Sequence, residues 1–278
     1  MKRLISLLAA MILSFSVWMT GCESGYSDGT ETKESESNEV ADGIVESSQD
    51  DYLINGFDIR TIGEYPQIEA AIRLSANVED GELTKTDFLG VTSLNLCSMG
   101  IRDITPVKAL VNLTELDASD NSIADISPLT ALEKLEILRL HDNKISDISP
   151  LDGLNNLTWL YLSCNEIEDV SPLSSMTKLV YLQLMDNKIT DVSPLGEMAN
   201  LTDAVLSGNA ISDISPLAGW KRIERLSLTD NPIADISALG GLTALLQVMV
   251  VNCPVEDFSP LDHVEYVEPY ARGGTRPE

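Results

Sequence analysis

Apolar residues recur along this chain with a period of 22 residues, in eight consecutive copies from Val91 to Tyr266. The fourth copy, which starts at Leu157, reads LTWLYLSCNEIEDVSPLSSMTK. The copies begin at Val91, Leu113, Leu135, Leu157, Leu179, Leu201, Ile223 and Leu245. A fixed period of this length, headed by the pattern L-x-x-L-x-L-x-x-N, is typical of solenoids, in which one short unit stacks on the next. Solenoids present extended surfaces and seldom carry chemistry, so the pattern favours a binding protein.

Positions 3 to 7 of each copy alternate in polarity and predict a short β-strand. Side chains at positions 4 and 6 should point inward, and those at positions 3, 5 and 7 should point to the opposite face. Neighbouring strands would pair in parallel about 4.8 Å apart, which makes eight strands roughly 38 Å wide. We therefore expect a parallel sheet with one face packed inside the solenoid and the other facing solvent.

Position 9 is asparagine in the six middle copies and Met99 or Cys253 in the first and last. A side-chain amide at this point can bond to backbone groups of the turn that would otherwise be buried without partners. We expect such bonds from Asn121, Asn143, Asn165, Asn187, Asn209 and Asn231. The substitutions in the outer copies are typical of terminal repeats.

The second half of the copies follows the pattern I-x-D-I-S-P-L, with some variation between copies. Ser or Thr before Pro predicts a helix N-cap followed by Pro at the first helical position, and so one short helical turn per copy. An Asp precedes this turn in all eight copies: Asp103, Asp125, Asp147, Asp169, Asp191, Asp213, Asp235 and Asp257. Local hydrogen bonding explains this Asp column, and a ladder of calcium ions is the alternative.

These columns together resemble the 22-residue leucine-rich repeats of internalins and related bacterial surface proteins, over residues 91–266. The resemblance implies a leucine-rich repeat solenoid with a parallel β-sheet on its concave face and short 3-10 or helical turns on its convex face. It also implies a small helical N-terminal cap over residues 52–90, protein binding on the concave face, and no catalytic residues. Tyr65 to Leu74 has helical spacing with Pro66 near its start, and Thr84 and Asp87 are spaced as a capping box.

The first 21 residues have the features of an export signal. Lys2 and Arg3 precede an apolar run, Leu4 to Met19, which is short for a membrane span. Met19-Thr20-Gly21-Cys22 follows and resembles the lipobox of bacterial lipoproteins, which implies cleavage before Cys22 and a lipid on its sulfur. The alternative is a plain secretion signal. Both interpretations predict an extracytoplasmic protein, and the lipobox interpretation also predicts lipid anchoring at the bacterial surface.

Residues 22–51 predict an acidic, disordered tether, with ten acidic residues against the single basic residue Lys33. The whole chain carries a net charge of −26, and removal of Lys2 and Arg3 with the signal peptide makes it more negative. Such a chain is repelled by nucleic acids and anionic headgroups, so contact with a membrane is expected only through the lipid on Cys22. Residues 267–278 form a short polar tail, in which Val267 is a candidate for a partial last strand.

Catalytic and metal-binding patterns are absent from the sequence. His141 and His263 lie five repeats apart, at least ~24 Å by strand spacing, so they cannot share a metal ion. Cys97, Cys164 and Cys253 are at least three repeats apart, too far for a disulfide, and Cys253 in the Asn column should be buried. We expect a domain that folds without metal, cofactor or disulfide and is not an enzyme.

The outward-facing positions of copies 3 to 6 form the candidate site. Aromatic residues make up 5% of the chain, yet three of them fall on two adjacent strands that should face solvent. The predicted partner-binding residues are Ile137, Arg139, His141, Trp159, Tyr161, Tyr181, Gln183, Met185 and Val205. Trp, Tyr and Arg dominate interface energetics, although the rings could instead pack on one another and stiffen the sheet. Met249 and Val251 are interpreted as surface of an edge strand.

The leading hypothesis is a surface-anchored, monomeric protein that binds a protein or peptide. The alternative is glycan or cell-wall polysaccharide binding, with sugar rings stacked on the aromatic side chains and held by Asp186, Asp203 and Gln183. Apolar neighbours such as Ile137, Met185 and Val205 favour the protein partner.

Overall fold

The computed structural model describes residues 49–268. The first structural unit, Met1–Tyr52, contributes to this range the 3-10 turn Gln49–Tyr52, which crosses the predicted boundary between tether and cap. The second unit begins at Leu53 and contains the repeats. The predicted signal peptide, the lipidation site Cys22 and residues 269–278 lie outside the described residues.

The N-terminal cap opens with a two-stranded hairpin, β1 (Leu53–Ile54) and β2 (Phe57–Asp58), which the sequence analysis did not predict. Asn55 and Gly56 form its turn with φ of 47° and 72°. Asn-Gly is the preferred dipeptide for such turns because both positions need positive φ, so the sequence did contain the signal. The Asn55 side chain also donates to the Lys108 carbonyl at 3.0 Å and so ties the hairpin to the first coil.

Two helices complete the cap, as predicted: α1 (Pro66–Ala76) and α2 (Lys85–Gly90), with a 3-10 segment Ile59–Glu64 before them. Pro66 occupies the first turn of α1, and Thr84 and Asp87 form the predicted capping box of α2. Their apolar faces are buried, including Ile68, Ile72 and Phe88.

The repeats build one parallel sheet of nine strands within the described residues, each three residues long. The strands are β3 (Ser93–Asn95), β4 (Glu115–Asp117), β5 (Ile137–Arg139), β6 (Trp159–Tyr161), β7 (Tyr181–Gln183), β8 (Asp203–Val205), β9 (Arg225–Ser227), β10 (Gln247–Met249) and β11 (Tyr266–Glu268). They follow one another in chain order across the sheet. Their register aligns equivalent positions of successive copies, which confirms the predicted solenoid.

The eighth coil is three residues shorter than the others. Arg225 pairs with Gln247, which is 22 residues further along, whereas Gln247 pairs with Tyr266, only 19 further. Tyr266 therefore begins a ninth strand that contains Val267, as suggested for a partial last strand. Because β11 covers β10, the interpretation of Met249 as edge-strand surface is wrong, and this side chain is buried.

Each coil packs its apolar positions into a continuous core. In the fourth copy, seven side chains are at most 1% exposed: Leu157, Leu160, Leu162, Ile167, Val170, Leu173 and Met176. Leu160 and Leu162 are positions 4 and 6, so the predicted inward direction is confirmed. In the sixth copy Trp220 takes the place of Met176, fully buried, and its indole N–H donates to the Leu195 carbonyl at 2.8 Å.

Each coil contains one 3-10 turn, at the position where the repeat pattern predicted a helical turn. These turns are Thr105–Ala109, Ser127–Leu129, Ser149–Leu151, Ser171–Leu173, Ser193–Leu195, Ser215–Gly219, Ser237–Gly241 and Ser259–Leu261. The prediction of Ser or Thr as the N-cap is wrong, because this residue is the first of the 3-10 turn itself. The Asp two residues earlier provides the cap, as in Asp147, whose Oδ1 accepts from the Ser149 N–H at 2.8 Å. All eight members of the Asp column make this local bond, at 2.8 or 2.9 Å.

The asparagines of position 9 join each coil to the preceding one. The Asn165 amide donates to the carbonyls of Leu140, Leu162 and Ser163, and its Oδ1 accepts from the Ile145 N–H. Two of these partners belong to the previous copy, so the ladder holds both the turn and the stack. At the end of the ladder the Cys253 thiol donates to the Leu228 carbonyl at 3.2 Å. Cys253 is half-buried, less than predicted.

The described cysteines, Cys97, Cys164 and Cys253, form no disulfide. Between residues 49 and 268 we find no helix with the length and hydrophobicity of a membrane span.

Candidate functional site

The candidate site lies on the strand face, by which we mean the outward side chains at positions 3, 5 and 7 of the repeats. Register places Trp159 between Ile137 and Tyr181, and Tyr161 between Arg139 and Gln183. The central residue of each strand points into the core, so the flanking residues share the other face. The structure thus gathers the predicted site residues of copies 3 to 6 on one surface.

Three rings form a stack that we call the aromatic cluster: Trp159, Tyr161 and Tyr181. The ring centroids of Trp159 and Tyr181 are 5.1 Å apart with an interplanar angle of 16°. Tyr161 lies 4.9 Å from Tyr181 and 6.5 Å from Trp159. Such contacts contribute about 0.5–1.5 kcal/mol per pair beyond burial, so the cluster stiffens β6 against β7.

The rings differ in exposure, contrary to the expectation that all three face solvent. Trp159 is 41% exposed and Tyr161 is half-buried, whereas Tyr181 is only 8% exposed. Tyr181 stacks against both other rings, which shield it. Burial, with the nearby Tyr161 and Asp203, raises the pKa of the Tyr181 hydroxyl far above its ordinary value. Trp159 is therefore the ring left available to a partner, and Tyr181 supports it.

Two other predicted contact residues are also less accessible than expected. Gln183 is 9% exposed and Val205 is 2% exposed, because both lie in the middle of the face among neighbouring side chains. Ile137, Arg139, His141 and Met185 are partly exposed.

Arg139 is held in place by two interactions. Its Nη1 donates to Glu115 Oε1 at 2.6 Å, and its guanidinium carbon lies 5.4 Å from the centroid of the Tyr161 ring. A guanidinium above an aromatic face is attracted by the ring quadrupole. The cluster thus already accommodates one cation of its own chain.

A second ion pair lies on the other side of the cluster, between Arg225 Nε and Asp203 Oδ1. Asp203 is buried, and its Oδ2 accepts a 2.7 Å hydrogen bond from the Thr202 hydroxyl. The sequence analysis did not predict this pair. The signal was present, because Asp203 and Arg225 occupy position 3 of consecutive copies and must therefore be neighbours.

Carboxylates line the edge of the strand face at position 8. Every residue there has a positive φ, and four are aspartates that we call the acidic row: Asp120, Asp142, Asp186 and Asp230. His141 Nδ1 lies 2.9 Å from Asp142 Oδ2. Partial burial, together with the charges of Asp230 and Asp142, raises the pKa of Asp186. This edge is therefore acidic, and its carboxylates repel one another.

Gly208 explains how Asp186 is placed. It occupies position 8 of the next copy with φ of 66°, and a Cβ there would collide with Asp186 Oδ1. The missing side chain lets the Asp186 carboxylate lean over the glycine, toward the copy that carries Asp230.

The histidines and the acidic side chains of residues 49–268 were compared with the requirements of a metal site. No group of three or more His, Cys, Asp or Glu side chains there is arranged to bind a metal ion. His263, far from His141 along the repeats, contacts the Leu242 carbonyl through Nε2 at 3.1 Å.

Comparison with known proteins agrees with this architecture. Residues 111–153 and 155–197 each match the family described as Leucine Rich repeats (2 copies). No curated protein sequence matches the chain. A leucine-rich repeat protein of Leptospira interrogans shares the fold, with a TM-score of 0.51 at 20% identity over 67% of this chain and 58% of that one.

Two solved internalins of Listeria monocytogenes are more similar. Internalin C2 has 31% identity and a TM-score of 0.71, over 74% of this chain and 93% of that chain. The internalin InlF has 30% identity and a TM-score of 0.63, over 73% of this chain and 68% of that one. The protein therefore belongs to the internalin family of bacterial leucine-rich repeat proteins.

Proposed function

We propose that this protein is displayed at a bacterial surface and binds a protein or peptide partner on its strand face. The observation that carries the proposal is Trp159, a large ring that stays 41% exposed while Tyr161 and Tyr181 support it from the sheet. A rigid aromatic anchor beside an arginine has the composition of an interface hot spot. The fold suits this role, since leucine-rich repeat solenoids are typically binding scaffolds without enzymatic activity.

Glycan binding is the second candidate, because exposed rings also stack on sugars. Of the polar groups expected to hold sugar hydroxyls, Gln183 and Asp203 are buried, and Asp203 is engaged by Arg225. Asp186 alone of the three is exposed. Two of the three groups expected to hold a sugar are therefore inaccessible, which favours a protein partner.

Capture from bacterial and host surface extracts tests the proposal. We expect the wild-type protein to retain a partner that protease treatment of the extract destroys, and Trp159→Ala to lose it. Removal of one hot-spot anchor weakens binding by about 2 kcal/mol or more, around thirtyfold. Leu74→Ala is the matched control, because Leu74 is also a large exposed side chain but lies on α1 in the cap.

Capture that resists protease would favour the glycan. Capture that Trp159→Ala leaves intact would contradict a site at the aromatic cluster.

We further propose that Cys22 carries lipid and anchors the protein outside the cytoplasm, with residues 1–21 removed and residues 22–51 serving as a tether. The support is the sequence Met19-Thr20-Gly21-Cys22 after an apolar run. A fatty-acid analogue fed to the producing bacterium should label the wild-type protein and not Cys22→Ala. Equal labelling of the two proteins would refute the anchor.

The remaining proposals concern what else the protein binds. We infer a monomer that needs no cofactor or metal ion. Its net charge of −26 works against nucleic-acid binding and against membrane contact other than through the lipid.

A further inference from the structure

Arg225 is the exposed half of an ion pair on the strand face. Its side chain is 43% exposed, whereas that of its partner Asp203 is 8% exposed. Both carboxylate oxygens of Asp203 are occupied, because Oδ1 accepts from Arg225 Nε and Oδ2 accepts from the Thr202 hydroxyl. Asp203 is therefore a buried support that holds the Arg225 guanidinium in one orientation at the surface.

The outer edge of this guanidinium has donors to spare. Within residues 49–268, Arg225 Nε makes the ion pair, and neither Nη1 nor Nη2 makes a hydrogen bond. The two terminal nitrogens form a planar fork that matches the two oxygens of a carboxylate. Arg139 differs, because its Nη1 already donates to Glu115 and its guanidinium lies over the Tyr161 ring.

Gln247, beside Arg225, gives independent evidence that a ligand belongs here. The register aligns the two residues on neighbouring strands, both at position 3 and therefore on the same face. Gln247 is only 6% exposed, yet its side-chain amide makes no hydrogen bond with any residue from 49 to 268. A buried amide without a partner destabilises the fold, so a group that supplies the missing hydrogen bond is favoured at this point.

The free groups together select a carboxylate. Arg225 offers two N–H donors in one plane, and the Gln247 amide can donate a third hydrogen bond. A basic side chain would be repelled by the guanidinium, and a neutral carbonyl has one oxygen where the fork fits two. The net charge of −26 repels an acidic protein as a whole, and a phosphate more than a carboxylate. The site therefore suits a single Asp or Glu side chain in an otherwise uncharged segment.

The distance from Arg225 to the exposed ring of Trp159 fits an extended peptide. Both residues occupy position 3, three strands apart, or about 14 Å. In an extended peptide the side chains of residues i and i+4 lie on the same side, about 13 Å apart. We propose that the partner lays an extended segment across the strand face, with an apolar side chain on Trp159 and, four residues away, an Asp or Glu side chain on Arg225 and Gln247. This inference rests on the proposed function and specifies its partner.

Selection from a random peptide library displayed on phage tests this on the full-length protein. We expect the selected sequences to carry an apolar residue and, four positions away, Asp or Glu. Selected sequences without this acidic residue, or a selection that returns no binding peptide, would overturn the inference.

Fluorescence anisotropy with a selected peptide then locates the carboxylate. Replacement of its acidic residue by the corresponding amide should weaken binding to the wild-type protein about tenfold. With Gln247→Glu the replacement should have little effect, because a carboxylate of this chain then lies beside Arg225. Arg225→Lys keeps a positive charge next to Asp203 but removes the fork, and it should lose the acidic preference in the same way.

Gln183→Glu is the matched control, because it adds the same charge to the same face beside the aromatic cluster rather than beside Arg225. The tenfold preference for the acidic peptide should persist in this variant. A preference that survives in both Gln247→Glu and Arg225→Lys, or that Gln183→Glu removes equally, would contradict the assigned carboxylate site.

The two proposals fail in different ways. Peptides and a captured partner that depend on Trp159 but show no acidic preference would refute the carboxylate site and leave the proposed function standing. Binding that Trp159→Ala leaves intact would refute the proposed site itself.

Discussion

At the scale of the residue, successive side chains of each three-residue strand point alternately into the core and onto the strand face. Leu160 is fully buried, whereas its neighbour Trp159 is 41% exposed on the opposite face. We expect Leu160→Ala to lower the free energy of unfolding by ~2–5 kcal/mol, because it leaves a cavity in a closed core.

Trp159→Ala should cost far less, about 1–2 kcal/mol, because it removes ring stacking on Tyr181 and Tyr161 but opens no cavity in the core. Urea denaturation of the two variants measures the difference. Similar losses in both would mean that the assignment of the two faces is wrong.

Asp186 is a residue whose charge opposes folding. Its pKa is raised in the folded protein, so the ionised form is less favourable there than in the unfolded chain, and the penalty applies at neutral pH. Asp186→Asn should therefore raise the melting temperature at pH 7 and low salt. The gain should disappear below about pH 4, where the carboxyl is protonated in both states. Asp120→Asn, at the equivalent position of the second copy, is the control, and a gain that persists in acid would contradict the electrostatic explanation.

At the scale of the element, the distance between neighbouring coils determines whether a glycine could be replaced by a residue with a side chain. Gly100 and Gly208 occur at φ of 67° and 66°, but a Cβ meets nothing within 4 Å at Gly100 and collides with Asp186 at Gly208. Gly100→Ala should cost about 1 kcal/mol through backbone strain alone.

Gly208→Ala should cost more, about 2 kcal/mol, and the excess should vanish when Asp186→Ala is also present. Thermal unfolding of the two single variants and the double variant checks this. Equal costs at the two glycines would show that the collision is unimportant.

The elements that could be predicted from sequence are those specified by repetition. The strand positions, the inward leucines and the asparagine ladder follow from the 22-residue period, because each copy has the same neighbours. The ninth strand deviates because the last coil is shortened, which the period cannot show. The N-cap was misassigned because Asp and Ser can both cap a turn, and only the backbone geometry distinguishes them.

The sequence predicted which face carries the residues of the candidate site, but not how exposed each of them is. Alternation correctly placed Trp159, Tyr161 and Tyr181 on one face. Whether each ring meets solvent depends on side-chain packing between adjacent strands, and this buries Tyr181 and Val205. Equivalent positions of consecutive copies are neighbours in the sheet, and this rule, applied to position 3, would have predicted the Asp203–Arg225 ion pair.

At the scale of the whole molecule, the Asp column links stability to pH. Hydrogen bonds from the backbone N–H and hydroxyl of the following serine lower the pKa of Asp147, Asp213 and Asp257. A lowered pKa means that the ionised form stabilises the folded state above the ordinary pKa of Asp, and that this contribution is lost as pH falls below about 4.

The triple variant Asp147→Asn/Asp213→Asn/Asp257→Asn should thus be less stable than wild type at pH 7 and approach it in acid. Urea midpoints measured across this pH range, with Glu133→Gln/Glu168→Gln/Glu197→Gln as the charge-matched control, give the comparison. An Asp triple variant whose deficit is the same at all pH values would contradict the linkage.

The replacement of asparagine by Cys253 at the end of the ladder has a mechanical consequence. Asn231 makes four amide hydrogen bonds, two of them to the sixth coil, whereas Cys253 offers only a thiol, a weak donor and acceptor, which donates to the Leu228 carbonyl of the seventh coil at 3.2 Å. In a solenoid each coil is held chiefly by its neighbours, so the junction with the weakest hydrogen bonds separates first under load. A partner that pulls on the strand face should therefore peel the last coil away at low force, while the coils that carry Trp159 stay intact.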